Sequence, residues 1–355
     1  MNWGVVNNYI SFVYQTSNFF LVCLFSLSPV SGYCCVTPVY FHMLLRCAWQ
    51  VNCSQRRTFS LLRELTNRGF IQDVTRSDVL AHALASAPRT VYAGIDPTAR
   101  SLHIGHLLPL LCLFHFRSQG HTIIPLIGGA TGRIGDPSGR STERQLADVQ
   151  HVQDNVSSLS ESIRHFFTRA SSYALRRRPN IHLSASPPPN ILSNLEWHQH
   201  FTMLDFLRTV GVHARISTMI SRESVKARLN SQHGISFTEF TYQLLQAYDF
   251  YHLHKHHGCS IQIGGSDQWG NIVAGLELIT KTTTSGEEAP NVFGITTPLL
   301  TTSTGEKFGK SAGNAVWLDP SLTSIFDFYQ VRDASVRKPP FPDSPPSSPC
   351  STLSR

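Results

Sequence analysis

The chain has 355 residues, 41% of them hydrophobic and 15% charged, the composition of a globular, enzyme-sized protein with one large or two ordinary cores. Its formal charge of +7 does not indicate a basic nucleic-acid face: residues 1–63 carry Arg46, Arg56, Arg57 and Arg63 with no acid, residues 331–355 carry a net +2, and the body between them is left near +1. Five of the eight cysteines precede residue 54, and neither a disulfide framework nor a metal-ligand spacing appears.

In chain order, the apolar run Phe19–Phe25 is too short to span a bilayer. From Met43, a candidate initiator, the text becomes Arg-rich and acid-free, the composition of a mitochondrial presequence with cleavage near Phe59. Residues 1–63 are therefore read as an N-terminal extension. Glu64 to Leu84 reads as a pair of helices broken at Gly69 and Asp73 that covers an edge before the first strand.

Thr90–Ile95 suits a buried strand that Pro97 ends, and Ser101 is the expected N-cap of a helix through Leu107, Leu110, Leu111 and Phe114. His103 and His106 flank Gly105 on its first turn, where free backbone N–H groups and the positive dipole end suit an anion. A helix that holds two histidines by chance would read the same. Thr122–Ile127 is a second buried strand, which completes a βαβ unit whose ligands bind at the carboxyl ends of its strands. There the Gly-rich loop Gly128–Arg140 begins, followed by Thr142, Glu143 and Arg144 on a new helix. In it Asp136 suits an ammonium, and Arg140 and Arg144 suit phosphates. A purely structural turn is the competing reading.

A helix through Phe167 is expected to give way to an irregular insertion over residues 171–190, with helical stretches following from Asn194 to Leu229. Ser236-Phe237-Thr238-Glu239 is a capping box for a helix to about Lys255. Tyr242, Gln246 and Asp249 share one face of it, which either lines a pocket or faces solvent. His252 and His256 lie one turn apart, but no nearby acid completes a metal site. Ser260–Ile263 is a short strand ending in Gly264-Gly265-Ser266-Asp267-Gln268, where Asp267 suits ribose hydroxyls and Gln268 a carboxylate or carbonyl. Lys307 and Lys310 then stand three apart on a Thr/Gly-rich loop able to fold over a triphosphate.

His103-Ile104-Gly105-His106 together with Lys307-Phe308-Gly309-Lys310-Ser311 resembles the signature pair of class I aminoacyl-tRNA synthetases. With the Gly128–Gly139 loop, Thr238–Phe250 and Gly264–Asn271, the chain from about residue 61 to 330 is similar to the bacterial and mitochondrial tyrosyl-tRNA synthetases. The resemblance implies an α/β fold, a class I Rossmann-type parallel sheet with helices on both faces and an inserted helical connective region. It implies a catalytic domain over residues 64–330, ATP with Mg²⁺ carried on it and no protein metal site, tyrosine and tRNA(Tyr) as partners, a homodimer with no membrane association, and work in the mitochondrial matrix.

By the same resemblance Tyr92 and Asp249 contact the substrate phenol, Asp136, Tyr242 and Gln246 hold its ammonium, and Gln268 faces its carboxyl. Asp96 and Asp267 lie near substrate and ribose, and Thr98, His103, Gly105, His106 and Gly265 belong to the ATP site. Arg140, Arg144, Lys307, Lys310 and Ser311 stabilise the departing pyrophosphate. Two positions depart from the family: Ala93 replaces a small polar residue near the ribose, and Arg140 replaces a common Lys, which keeps charge but changes geometry. Residues 331–355, with six prolines, stand where the family continues into an anticodon-binding domain. They are expected to be a disordered tail, of the kind a translated intron produces, leaving tRNA contacts weakened. The alternative is a charging-incompetent form that binds tyrosine or RNA, or pairs with a longer copy. A Rossmann dehydrogenase is excluded because no Gly-x-Gly-x-x-Gly joins the first strand to its helix.

Overall fold

The computed structural model describes residues 61–138, 146–177, 183, 187–231, 234–283, 289–301, 308 and 314–335. In chain order these form α1 (Leu61–Asn67), β1 (Asp73–Val74), α2 (Ser77–Ser86), β2 (Thr90–Ile95), α3 (Ile104–Ser118), β3 (Thr122–Ile127), the single turn α4 (Thr131–Ile134) and the long α5 (Val149–Arg177). Then come β4 (Leu192–Ser193), the short helices α6 (Leu195–His198), α7 (Met203–Thr209), α8 (Ile216–Ser221) and α9 (Glu223–Leu229), and the 21-residue α10 (Phe237–His257). The series closes with β5 (Cys259–Gly265), α11 (Trp269–Thr282), β6 (Phe293–Thr297) and α12 (Ile325–Ser335).

Among the described residues six strands form one sheet in the order β1-β6-β5-β2-β3-β4. β6, β5, β2, β3 and β4 run parallel, and β1 pairs antiparallel with β6 through Asp73–Thr296 and Val74–Ile295. The segment between the first two helices thus becomes an edge strand itself, a two-residue element too short to show a period.

Side chains alternate across the pleat and divide the core in two. Val91, Ala93, Ile95, Ile123, Ile127, Ile261 and Ile263 pack with α3 and with Leu159, Ile163 and Phe167 of α5. Tyr92, Ile124 and Leu126 face the other way, onto Phe250 and Leu253 of α10 and Ile279 of α11. The result is a doubly wound three-layer α/β fold. Because the chain leaves β2 for β3 on one side and returns to β5 on the other, the sheet has a topological switch point beside the carboxyl end of β2.

Three expected boundaries move. The helix-start residue is His103, and Ser101 is buried with its hydroxyl donating to the Leu102 carbonyl. α5 continues through Arg177, so Arg176 and Arg177 end a helix, where their charge complements its C-terminal dipole. α1 begins at Leu61, ahead of the helix start expected at Glu64, and α12 runs from Ile325 to Ser335. The presequence, the Thr142–Arg144 helix start and the tail beyond Ser335 lie outside the described residues.

Candidate functional site

Four strands end at one place. Asp96 follows β2, the Gly128–Asp136 loop follows β3, Asn194 follows β4, and β5 ends in Gly264 and Gly265 ahead of Asp267 and Gln268. α10 crosses above them. Its N-cap is Ser236, whose hydroxyl accepts from the Glu239 N–H at 3.3 Å, and Gly258 ends it at φ 61°. Glu239 itself pairs with Arg228 of α9 at 2.8 Å, both buried, which ties the start of α10 to the connective helices.

Tyr242, Gln246 and Asp249 point inward, and a solvent-facing stripe is ruled out, since Tyr242 and Asp249 are only 4% and 2% exposed. Asp249 anchors one end of a polar chain. Its Oδ1 accepts from Trp197 Nε1 and His198 Nε2, both at 2.8 Å, and its Oδ2 from Asn194 Nδ2 at 3.0 Å. Asn194 Nδ2 also reaches Thr131 Oγ1, and Thr131 Oγ1 donates to Asp96 Oδ1 at 2.8 Å. Asp96 Oδ2 accepts from the Tyr242 hydroxyl at 2.8 Å. Burial, reinforced by the Asp96 and Asp136 charges, pushes the Tyr242 phenol well above its ordinary range, so it stays a donor.

A second chain lies beside the first. Asp136 accepts from the Ser138 N–H at 2.8 Å and from Gln268 Nε2 at 2.6 Å. Gln246 Nε2 donates to Gln268 Oε1, and Asn271 Nδ2 reaches both Gln246 Oε1 and Gln268 Oε1. Asp136 and Gln268, expected at the ammonium and the carboxyl of one α-carbon, are bonded to each other. The buried Tyr92 hydroxyl has no hydrogen-bond partner among the described residues. Burial first, and the Asp249 charge second, raise its pKa well above the usual phenol value, so it too keeps its proton.

The α3 start forms a separate wall. His103 Nδ1 accepts from the Gly105 N–H and His106 Nδ1 from the His103 N–H, each at 3.1 Å, a capping box built from two stacked imidazoles 3.8 Å apart. A side chain at Gly105 would place Cβ 2.9 Å from His103 Cε1. The Phe308 carbonyl stands 3.7 Å from the same point, which brings the two signature segments together. Trp317 bridges to His103, and Val316 and Leu318 bond to Ile104 and Leu102. Thr98 donates its N–H to the Asp96 carbonyl, on the β2 side. Gly265 lies where a Cβ would meet Asp267 Oδ1 at 2.7 Å. Arg140, Arg144, Lys307, Lys310 and Ser311 lie outside the described residues.

Sequence reasoning missed Asn194, Thr131, Trp197, His198, Ser138 and Asn271. The available signal was Asn-x-x-Trp-His directly after a strand, three hydrogen-bonding side chains within one turn. Of the α10 histidines, His252 stacks on Trp197 at 4.4 Å, and burial with its neighbours His256 and His257 lowers its pKa to about 4.

A doubly wound sheet whose switch point is lined by buried, interlocked carboxylates and amides, with a histidine-capped helix opposite, is the architecture of a nucleotide-using α/β site. The family described as tRNA synthetases class I (W and Y) matches residues 85–332. The mitochondrial tyrosine--tRNA ligase of Saccharomyces cerevisiae is 45% identical over 291 residues, covering 80% of this chain and 59% of the yeast protein. Tyrosine--tRNA ligase 1 of Vibrio parahaemolyticus is 47% identical over 274 residues, 77% of this chain and 61% of that protein. Among solved structures, a C-terminally truncated mitochondrial tyrosyl-tRNA synthetase of Aspergillus nidulans superposes with a TM-score of 0.68 at 32% identity, covering 81% of this chain and 79% of that one. The chain belongs to the class I tRNA synthetases, and within them to the tyrosyl-tRNA synthetase family. It spans about three-fifths of the length of the curated relatives it matches.

Proposed function

We propose that this chain carries the tyrosine-activation unit of a mitochondrial tyrosyl-tRNA synthetase, with residues 64–330 as its catalytic domain. In that reaction a carboxylate oxygen of tyrosine attacks the α-phosphorus of ATP, the bond to the bridging oxygen of the β-phosphate breaks, and pyrophosphate leaves. The substrate is its own nucleophile, so the protein acts by positioning and charge stabilisation.

The observation that carries this reading is the protonated, buried Tyr92 hydroxyl, unpartnered among the described residues, which lies within the field of a buried carboxylate, Asp249. A substrate phenol has one oxygen to accept from Tyr92 and one proton to give to Asp249. Phenylalanine leaves both groups buried and unsatisfied, which rejects it strongly. Tryptophan has no hydroxyl for the pair. Further up, Asp136, the Tyr242 hydroxyl oxygen and Gln246 Oε1 supply three acceptors for the ammonium, with Gln268 toward the carboxyl group. Asp96 and Asp267 serve substrate and ribose, while Thr98, His103, Gly105, His106 and Gly265 receive ATP at the helix start. Arg140, Arg144, Lys307, Lys310 and Ser311 are assigned to the pyrophosphate by the family likeness. Among the described residues no group of three His, Cys, Asp or Glu side chains is placed to hold a metal, and Mg²⁺ enters in this reading on the ATP phosphates.

Mitochondrial work is supported by the Arg-rich, acid-free text before residue 64 and by the yeast relative's name. Transfer of the tyrosyl group to tRNA(Tyr), and pairing of two copies, belong to the same proposal. A second reading rests on the three-fifths coverage of the relatives: a form that binds tyrosine or RNA, or pairs with a longer copy, without charging tRNA. Tyrosine-dependent exchange of pyrophosphate into ATP separates them. Exchange with tyrosine, absent with phenylalanine or tryptophan and lost in Lys310→Ala, is the expected result; a folded sample without exchange establishes the second reading.

A further inference from the structure

We infer that His198 is a positioning residue for tyrosine selection, fixing the carboxylate that reads the substrate phenol; the inference rests on the activation reading above. The argument starts from the acceptor capacity of Asp249. An ionised carboxylate offers about four lone-pair directions. Trp197 Nε1 and His198 Nε2 occupy both directions on Oδ1, and Asn194 Nδ2 takes one on Oδ2. About one direction is left, on Oδ2, for a donor that none of the described residues supplies. A carboxylate only accepts, so His198 carries its proton on Nε2 when it makes this bond.

The three donors have different jobs. Asn194 is shared with Thr131 and belongs to the chain leading to Asp96. Without His198, Trp197 and Asn194 would each hold one carboxylate oxygen by a single bond, which leaves the plane of the group able to tilt about the line between them. The second ring N–H on the same oxygen removes that freedom and fixes the direction of the remaining Oδ2 lone pair. His198 is itself held firmly: its side chain is 8% exposed, and its ring lies 5.6 Å from that of Tyr248, which stacks on Phe201 at 4.5 Å. A space-filling residue at this position would need no nitrogen aimed at the carboxylate, whereas the 2.8 Å contact is a full hydrogen bond to a buried anion.

The test is tyrosine-dependent pyrophosphate exchange by the full chain, comparing wild type with His198→Phe, which keeps the ring and removes the donor, and His198→Gln, whose amide N–H reaches about as far as Nε2. His198→Phe is expected to raise the KM for tyrosine about tenfold and to lower the tyrosine-over-phenylalanine ratio of kcat/KM by about as much, with kcat and the KM for ATP changed less than about threefold. His198→Gln should recover most of both losses. If His198→Phe loses its cooperative thermal transition, His198→Asn replaces it: its amide is too short to reach Oδ1, so the same rise must appear. An unchanged tyrosine KM and selectivity ratio in the donor-less variants overturns the inference while leaving the activation reading intact. So does a loss that falls equally on kcat and on both KM values. Absence of exchange in the wild type overturns the activation reading, and this one with it.

Discussion

Among the described residues α5 and α10 are the two longest helices, and they bury opposite kinds of residue. α5 turns Val152, Leu159, Ile163, Phe167 and Ala170 inward, and its outer serines return their hydroxyls to carbonyls four residues back, as Ser162 does to Ser158. α10 buries Glu239, Tyr242, Gln243 and Asp249 among Ala247, Phe250 and Leu253. A polar group in the interior costs free energy unless it is partnered, and Glu239, Tyr242 and Asp249 each meet a partner contributed by another element. The difference teaches that α5 serves mainly to pack, with Asn155 donating to the Pro97 carbonyl and Ser171 accepting from Arg117 across elements, whereas the inner face of α10 gathers buried polar groups at the strand ends.

Substitutions that separate holding from packing put this contrast to the test. The largest effect is expected for Asp249→Ala, which strands the Asn194, Trp197 and His198 donors in the interior. It should cost about 3–5 kcal/mol in urea unfolding and remove tyrosine-dependent exchange. Ile163→Ala, at the fully buried centre of the α5 stripe, should cost about 3 kcal/mol in the same unfolding measurement through the cavity it leaves, with the tyrosine KM unmoved. A shift in that KM would mean that α5 also shapes the site and that the contrast is wrong. The smallest effect belongs to Ser162→Ala, whose hydroxyl bonds only locally: a change within about 0.5 kcal/mol and no kinetic consequence. Together the three variants grade the two helices on one scale of stability and another of selectivity.

Local text made much of this legible. Thr90–Ile95 and Thr122–Ile127 stand at their expected limits, because continuous β-branched and apolar runs between turn residues have few other solutions. The four-and-three spacing put Tyr242, Gln246 and Asp249 on one face of α10 but left open whether that face lined a pocket or met solvent, which the burial of Tyr242 and Asp249 decided. The N-cap at His103 did not follow, because cap preferences favour Ser, and only the geometry of the stacked ring pair revealed imidazoles doing a serine's work. Nor did β1, whose two residues become a strand only because β6 offers an open edge.

The sequence by itself determined the alternation of strands and helices, the two signature segments and the residue types at each strand's carboxyl end, because these depend on neighbours within a few positions. Only the tertiary structure decided which of those residues meet. That Asp249 is held by Asn194, Trp197 and His198, more than fifty residues earlier, and that Asp136 closes on Gln268 across the sheet's switch point, depends on four strand ends converging under one helix. No local period encodes such a meeting, since it is fixed by strand order and by the free-energy cost that drives most buried polar groups to find partners.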